Sequence, residues 1–387
     1  MDHDLYNMAV NGVSLKIPID MKQLKFHKLD AIYLKHYQDV EIDGESWCSF
    51  LTSETKRKNE LLKVVEVLNH KKIDYLLLKG LSFQKYYPST LYRYSLDFDF
   101  SVSNFEEFLK CADTLFSRGF EYESYPQFSY NQEMRGVIKL IKYLDGGDTL
   151  SLEFNIGGFP ASDFTWIDYS IISKDSRTMY KNEVAINIPS HIANFIIFLA
   201  EINERDVLRV RDALDFKYMI EYIKIEKVST TLKSLYLYKN VRRVSKYLEN
   251  LDGGKQENQW FRNIRRKYHT LFLDKNHIIP MIYRNHYTPL RDLSMNYYKR
   301  VGEVLIDNDF FINNIKKFEL LLGVRKRFYA GILTHFIPIN HDKYDSFQWL
   351  TEENMDLVET PLGLFLASNF CVHTEVELEK VEELTNF

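Results

Sequence analysis

Two aspartates stand two residues apart in the run 96–102, and their spacing is the most chemically pointed feature of the chain. The run alternates as a strand does: Leu96, Phe98, Phe100 and Val102 point one way, and Asp97, Asp99 and Ser101 point the other. Two carboxylates on one strand face repel each other unless something neutralises them. A hard divalent cation does so, and magnesium takes oxygen ligands and shares them with substrate phosphates. An Asp-x-Asp on a solvent-facing strand also occurs with no such role, so its surroundings decide the reading.

Those surroundings are ordered. Residues 54–70 read as an amphipathic helix, with Leu61, Leu62, Val65 and Leu68 at helical spacing. A strand over 73–78 follows and ends at Lys79-Gly80. After the aspartate strand, Ser103 to Glu106 has the pattern of a capping box, and Arg118-Gly119 closes the helix it opens. Two apolar runs, 136–144 and 149–156, flank Asp145-Gly-Gly-Asp148 and predict a hairpin. On its second strand Glu153 lies between Leu152 and Phe154 and shares a face with Ser151 and Asn155. Asp145 and Asp148 are rival carboxylates, but they sit at the tip, where Asp is the ordinary turn residue.

From Leu76 to Val102 the chain resembles the polymerase-beta-type nucleotidyltransferase superfamily. It is similar, more narrowly, to a bacterial family within it whose turn reads Lys-Gly. The residues that carry the resemblance are Leu78-Lys79-Gly80, Tyr87-Pro88, and Arg93-Tyr-Ser-Leu-Asp97-Phe-Asp99. Leu81 stands where the wider superfamily has serine, and Ser82 follows one place later as its substitute. The resemblance implies a third acidic residue on a later strand, and Glu153 fits that place. It implies that Asp97, Asp99 and Glu153 hold two magnesium ions under a nucleoside triphosphate, with Lys79, Gly80, Ser82 and Arg93 around the phosphates. Arg93 has a second reading, as a brace for Asp97 or Asp99. Further along, the resemblance extends to Pro189-Ser-His191 and to Arg209, Arg211, Asp212 and Asp215. Arg211 and Asp215 are also spaced to pair across one helical turn, and His191 reads simply as a first-turn helix residue. The resemblance covers residues 56–225.

The fold class expected is therefore α+β: a small mixed sheet forming a nucleotidyltransferase core, then a helical domain. The divisions are 1–55, partly helical; 56–188, the core; 189–330, helical; and 331–387, an acidic segment without readable elements. The expected reaction moves a nucleoside monophosphate from a triphosphate to a hydroxyl acceptor, a small molecule or a protein in preference to RNA. The alternatives are a toxin-like enzyme acting on tRNA and a non-catalytic nucleotide-binding regulator.

The net charge of −4 over 387 residues predicts no dominant polyanionic partner. Its distribution is uneven. Residues 233–275 carry eleven Lys or Arg against four acidic residues, and 351–387 carry nine acidic residues against one Lys. Arg242, Arg243, Arg262, Arg265, Arg266 and Lys267, with Tyr236, Tyr238, Tyr247 and Tyr268 nearby, have the composition of a nucleic-acid track, and equally of a solvated basic face. Cys48, Cys111 and Cys371 are too far apart for a metal or redox motif, which fits a reducing cytoplasm. The opening MDHDLYNMAV has no basic region followed by an apolar run, so no secretory leader is expected. No apolar stretch approaches the ~18 residues that a membrane span needs.

Overall fold

The computed structural model describes residues 2–12, 21–37, 46–162, 165–203, 205, 207–235, 237–252, 324–329, 331, 333–352 and 355–368. Arg262, Arg265, Arg266, Lys267 and Tyr268, Tyr236, and Cys371 lie outside them. The chain divides into two compact units, residues 1–124 with 138–263 and residues 125–137 with 264–387. Both α-helix and a sheet with parallel and antiparallel pairs are present, so the fold is α+β.

The first unit begins with three short helices, α1 (Asp2–Asn11), α2 (Met21–His27) and α3 (Asp30–His36). The long α4 (Trp47–His70) starts seven residues before the apolar periodicity begins. Its start is set by Ser46, whose hydroxyl accepts from the Ser49 N–H while the Ser49 hydroxyl accepts from the Ser46 N–H. Serine supplies the reciprocal cap that glutamate more often makes. The helix buries Leu61, Val64, Val65 and Leu68.

Strand β1 (Tyr75–Leu77) runs antiparallel to β2 (Asp97–Val102), with Leu77 opposite Phe100. Between them lies the short α5 (Gly80–Gln84). On the other side β2 pairs in parallel with β6 (Thr149–Ile156), which is flanked in turn by β5 (Glu133–Tyr143). The hairpin of β5 and β6 is thus present where its glycines placed it. Helix α6 (Phe105–Ser117) is capped by Asn104, which accepts from the Glu107 N–H at 3.0 Å, one residue beyond the serine that the sequence pattern favoured. The apolar side of β2 meets α6 through rings: Phe100 stacks on Phe154 with centroids 5.1 Å apart, and Phe108 meets Phe154 edge-on at 5.2 Å.

β3 (Glu121–Tyr122) adds to β5. In the second unit β4 (Gln127–Asn131) pairs with β5 residues before Ile138. In the first, β7 (Gly158–Ser162) and β8 (Thr165–Asp168) form a hairpin that leads into α7 (Tyr169–Ser173). A second hairpin, β9 (Arg177–Lys181) with β10 (Val184–Ile188), precedes α8 (His191–Asn203). Then come α9 (Val210–Ile220), α10 (Ile225–Ser234) and α11 (Tyr238–Leu251). Phe195, Phe198 and Phe216 pack between α8 and α9.

The second unit carries strands where the sequence shows no readable pattern. α12 (Val324–Tyr329) is followed by β11 (Thr334–Asn340), β12 (Gln348–Glu352), β13 (Met355–Thr360) and β14 (Gly363–Ser368). Their order is β4, β11, β14, β13, β12, all antiparallel. Phe328, Phe336, Phe347 and Trp349 form its aromatic core. Gly363 has φ +139°, and a Cβ there would lie 2.1 Å from the Asn340 carbonyl oxygen, so only glycine fits that turn. Among the described residues, no helix is long and apolar enough to cross a membrane.

Candidate active site

The site is built on one face of two parallel strands. Asp99 of β2 is the register partner of Glu153 of β6, and Asp97 is the partner of Ser151. Neighbouring strands lie about 4.8 Å apart, and residues i and i+2 share a face. Asp97, Asp99 and Glu153 therefore converge on the same side, with Ser101 and Asn155 beyond them. The face is not open to solvent throughout: Asp99 is only 2% exposed, whereas Asp97 and Glu153 are half-buried.

Burial raises the Asp99 pKa, and although Lys79 pulls it back, Glu153, Asp97 and Glu201 push it well above the ordinary carboxylate value. Asp97 goes the other way, because Lys28 and Lys79 outweigh the cost of its burial. Lys79 is the cation at the centre. Its Nζ lies 3.2 Å from Asp99 Oδ1 and 2.8 Å from Glu201 Oε1. Burial lowers its pKa, but Asp99, Glu201 and Glu153 together hold it well above the ordinary lysine value. Glu153 in turn meets Lys139 of β5, whose Nζ is 3.1 Å from Oε2. As they stand, no three acidic, histidine or cysteine side chains among the described residues close into a metal-binding set; Lys79 and Lys139 each take a carboxylate oxygen.

The turn that presents Lys79 is strained. Lys79 has φ +43° and Gly80 φ +31°, so two consecutive residues lie outside the ordinary right-handed regions. A Cβ on Gly80 would meet the Ser95 Cβ at 3.4 Å, an ordinary contact, so it is the positive φ that favours glycine there. Leu78 N–H donates to the Asp99 carbonyl at 2.7 Å and ties the turn to the aspartate strand.

Arg93 has a different partner from either expected one. Its guanidinium donates to both oxygens of Asp215, Nε at 2.7 Å and Nη2 at 3.0 Å, and Nη1 donates to the Gly80 carbonyl at 3.2 Å. The Tyr87 hydroxyl donates to the same Asp215 at 2.7 Å. The motif residues Tyr87 and Arg93 thus meet on one aspartate from α9, and Arg93 links it to the Gly80 carbonyl. This ion pair is buried, and it holds the turn from behind instead of offering a free cation to a phosphate or bracing Asp97 or Asp99. Arg211 does not pair with Asp215 in the anticipated i, i+4 manner; its Nη1 donates to the Tyr94 carbonyl at 3.3 Å. Ser82 is fully buried, and its hydroxyl donates to Asn194 at 2.7 Å.

His191 and Asp148 are engaged elsewhere. His191 begins α8, ten residues before Glu201, about 15 Å along the helix axis. Its ring nitrogens meet the Tyr86 hydroxyl at 3.0 Å and Arg177 at 2.8 Å, and its ring stacks on Tyr222. Asp148 accepts from Ser53 and Lys56 of α4 at the hairpin tip, and the Asp145 carbonyl accepts from the same lysine. Asp212 accepts from the Arg209 N–H at 2.8 Å at the start of α9 and pairs with Arg205.

Glu201 and Lys139 were missed in the sequence. Glu201 did leave a signal, since it is the one charged residue between His191 and Asn203, in a helix otherwise apolar but for its asparagines. Lys139 left none, because a lysine alternating with apolar residues on a hairpin strand is ordinary surface.

The chain is similar to several solved structures over about half its length, among them the following three. A nucleotidyltransferase-like antigenic protein from Paracoccidioides brasiliensis is 15% identical over 51% of this chain and 90% of its own, with a TM-score of 0.33. The antibiotic-resistance factor ANT(2'')-Ia is 11% identical over 52% of this chain and 99% of its own, with a TM-score of 0.32. A Megavirus polyadenylate synthase is 11% identical over 54% of this chain and 39% of its own, with a TM-score of 0.27. No protein-family model matches the chain, and no curated protein matches it. At such TM-scores the functional reading rests on the chain's own geometry.

Proposed function

We propose that the first unit is the catalytic core of a nucleotidyltransferase, which moves a nucleoside monophosphate from a nucleoside triphosphate to a hydroxyl acceptor. The observation that carries this reading is the register of β2 on β6, which sets Asp99 beside Glu153 with Asp97 on the same face. The donor set fits a hard divalent cation. All three ligating groups are carboxylates, and the Asn155 Oδ1 beside them is a buried acceptor with no donor. Asp97, Asp99 and Glu153 would hold magnesium, which when bound supplies charge stabilisation at the reacting phosphate and lowers the proton affinity of the attacking hydroxyl.

The chain's own residues do the rest. Lys79 brings a fixed positive charge to the triphosphate. Gly80 keeps the turn compact, and Arg93 with Asp215 holds that turn in place. The acceptor oxygen attacks the α-phosphorus, the bond to the bridging oxygen of the β-phosphate breaks, and pyrophosphate leaves. The hydroxyl proton departs to the carboxylate face. Such catalysis is mostly positioning and electrostatic stabilisation. A small-molecule or protein acceptor fits the near-neutral net charge of −4 better than RNA does.

The test is release of pyrophosphate from mixed nucleoside triphosphates by the full chain. Release that depends on magnesium and is lost in Asp97→Asn and Asp99→Asn supports the reading. Nucleotide binding without release in the presence of varied acceptors would favour a non-catalytic regulator instead.

A further inference from the structure

Four carboxylates surround Lys79, and only three of them belong to the strand face. The fourth, Glu201, arrives on the last turn of α8, and its Oε1 is the ammonium's nearer partner, 2.8 Å against 3.2 Å for Asp99 Oδ1. Glu201 is itself anchored. Its other oxygen lies 3.5 Å from Arg205, which pairs with the fully buried Asp212. Burial raises its pKa, but Lys79 and Arg205 more than offset this and leave it ionised down to about pH 2. A fixed anion therefore stands beside Lys79 on an element other than Asp99's strand.

The position matters because Lys79 occupies the place of a counter-ion. One Asp99 oxygen cannot both hold an ammonium at hydrogen-bond distance and serve a divalent cation without competition. We propose that Glu201 is a positioning residue: it receives the Lys79 ammonium so that Asp99 is released to a divalent cation, and it keeps Lys79 poised to meet the triphosphate. This rests on the nucleotidyltransferase reading only for the identity of the phosphate ligand; the exchange at Asp99 concerns the cation alone.

The experiment is calorimetric titration of magnesium into the full chain without nucleotide, with thermal melts as the check on folding. In Glu201→Gln the ammonium has lost its alternative partner and stays on Asp99, so magnesium binding is expected to weaken about tenfold. Lys79→Met removes the competitor, so magnesium should bind at least as tightly as in the wild type, and adding Glu201→Gln in that background should change nothing further. If Glu201→Gln does not fold, Glu201→Asp is expected to show the same dependence on Lys79 at smaller size. Equal weakening by Glu201→Gln with and without Lys79 would overturn the proposal, since Glu201 would then act on the cation itself or through the fold. No weakening by Glu201→Gln in the protein that keeps Lys79 would overturn it as well. Magnesium binding that follows this pattern without any pyrophosphate release would leave the role of Glu201 standing and sink the transferase reading. Absence of any magnesium binding that Asp99→Asn removes would sink both.

Discussion

Asp99 sits under electrostatic tension in the site. It is buried beside Glu153, Asp97 and Glu201, and its pKa is raised well above the ordinary value. A carboxyl with a raised folded-state pKa favours the folded state at low pH, and that contribution is lost as the pH rises through the raised value. Asp99→Asn removes the charge, so the cation-free variant is expected to melt no lower than the wild type at pH 7. Magnesium with nucleotide should raise the wild-type melting temperature and leave the variant unmoved; equal stabilisation of the two would remove Asp99 from the metal site. His191 gives a second test. Burial first, then Lys85 and Arg177, bring its pKa down to about 4. Its stabilising contribution is complete above the ordinary histidine value and falls as the pH drops from there toward 4. An NMR titration of the His191 ring should show a midpoint below 5, and one near 6.5 would contradict the packing described.

Among elements, the decisive join is between the Lys79-Gly80 turn and α9. The turn has no long helix behind it, since α5 is five residues long. It is held instead by Arg93, clamped between the Gly80 carbonyl and both oxygens of Asp215. Burial raises the Asp215 pKa, and Arg93, with Arg211 and Tyr87, more than offsets this, for a net shift downward. Its contribution is thus present above the ordinary aspartate range and lost as the pH falls through the lowered value. Asp215→Asn leaves a buried guanidinium without its anion, and such a change costs about 3–5 kcal/mol. Chemical denaturation at pH 7 measures it, and a loss below about 1 kcal/mol would show that the pair is solvated. The sequence showed these elements unevenly. The strand, turn and hairpin around the aspartates were legible because alternation and Gly-Gly turns are local signals. The partner of Arg93 was not, because Asp215 is 122 residues away and its own helix offered Arg211 at the usual spacing. Glu201 escaped for the same reason: only the packing of α8 shows what it faces.

Over the whole molecule, the first unit contains every residue assigned to the site. The second unit's antiparallel strands were illegible because β12 and β13 carry Glu352, Asp356 and Glu359 among their apolar residues, in a segment of acidic composition. The basic stretch tests the acceptor. If an RNA were guided by it, replacing Arg262, Arg265 and Arg266 together with Glu would cost salt-sensitive RNA binding while sparing nucleotide binding. The triple change is expected to leave turnover nearly unaltered, and binding of total tRNA at low and moderate salt checks it. The most direct measurement of the central claim is anomalous diffraction from crystals soaked with manganese and a nucleoside triphosphate analogue that cannot turn over. Manganese is expected in bonding contact with Asp97 and Asp99, with Glu153 beside it and the triphosphate on the same face. Manganese bound elsewhere, or a triphosphate seated away from these three carboxylates, would contradict it.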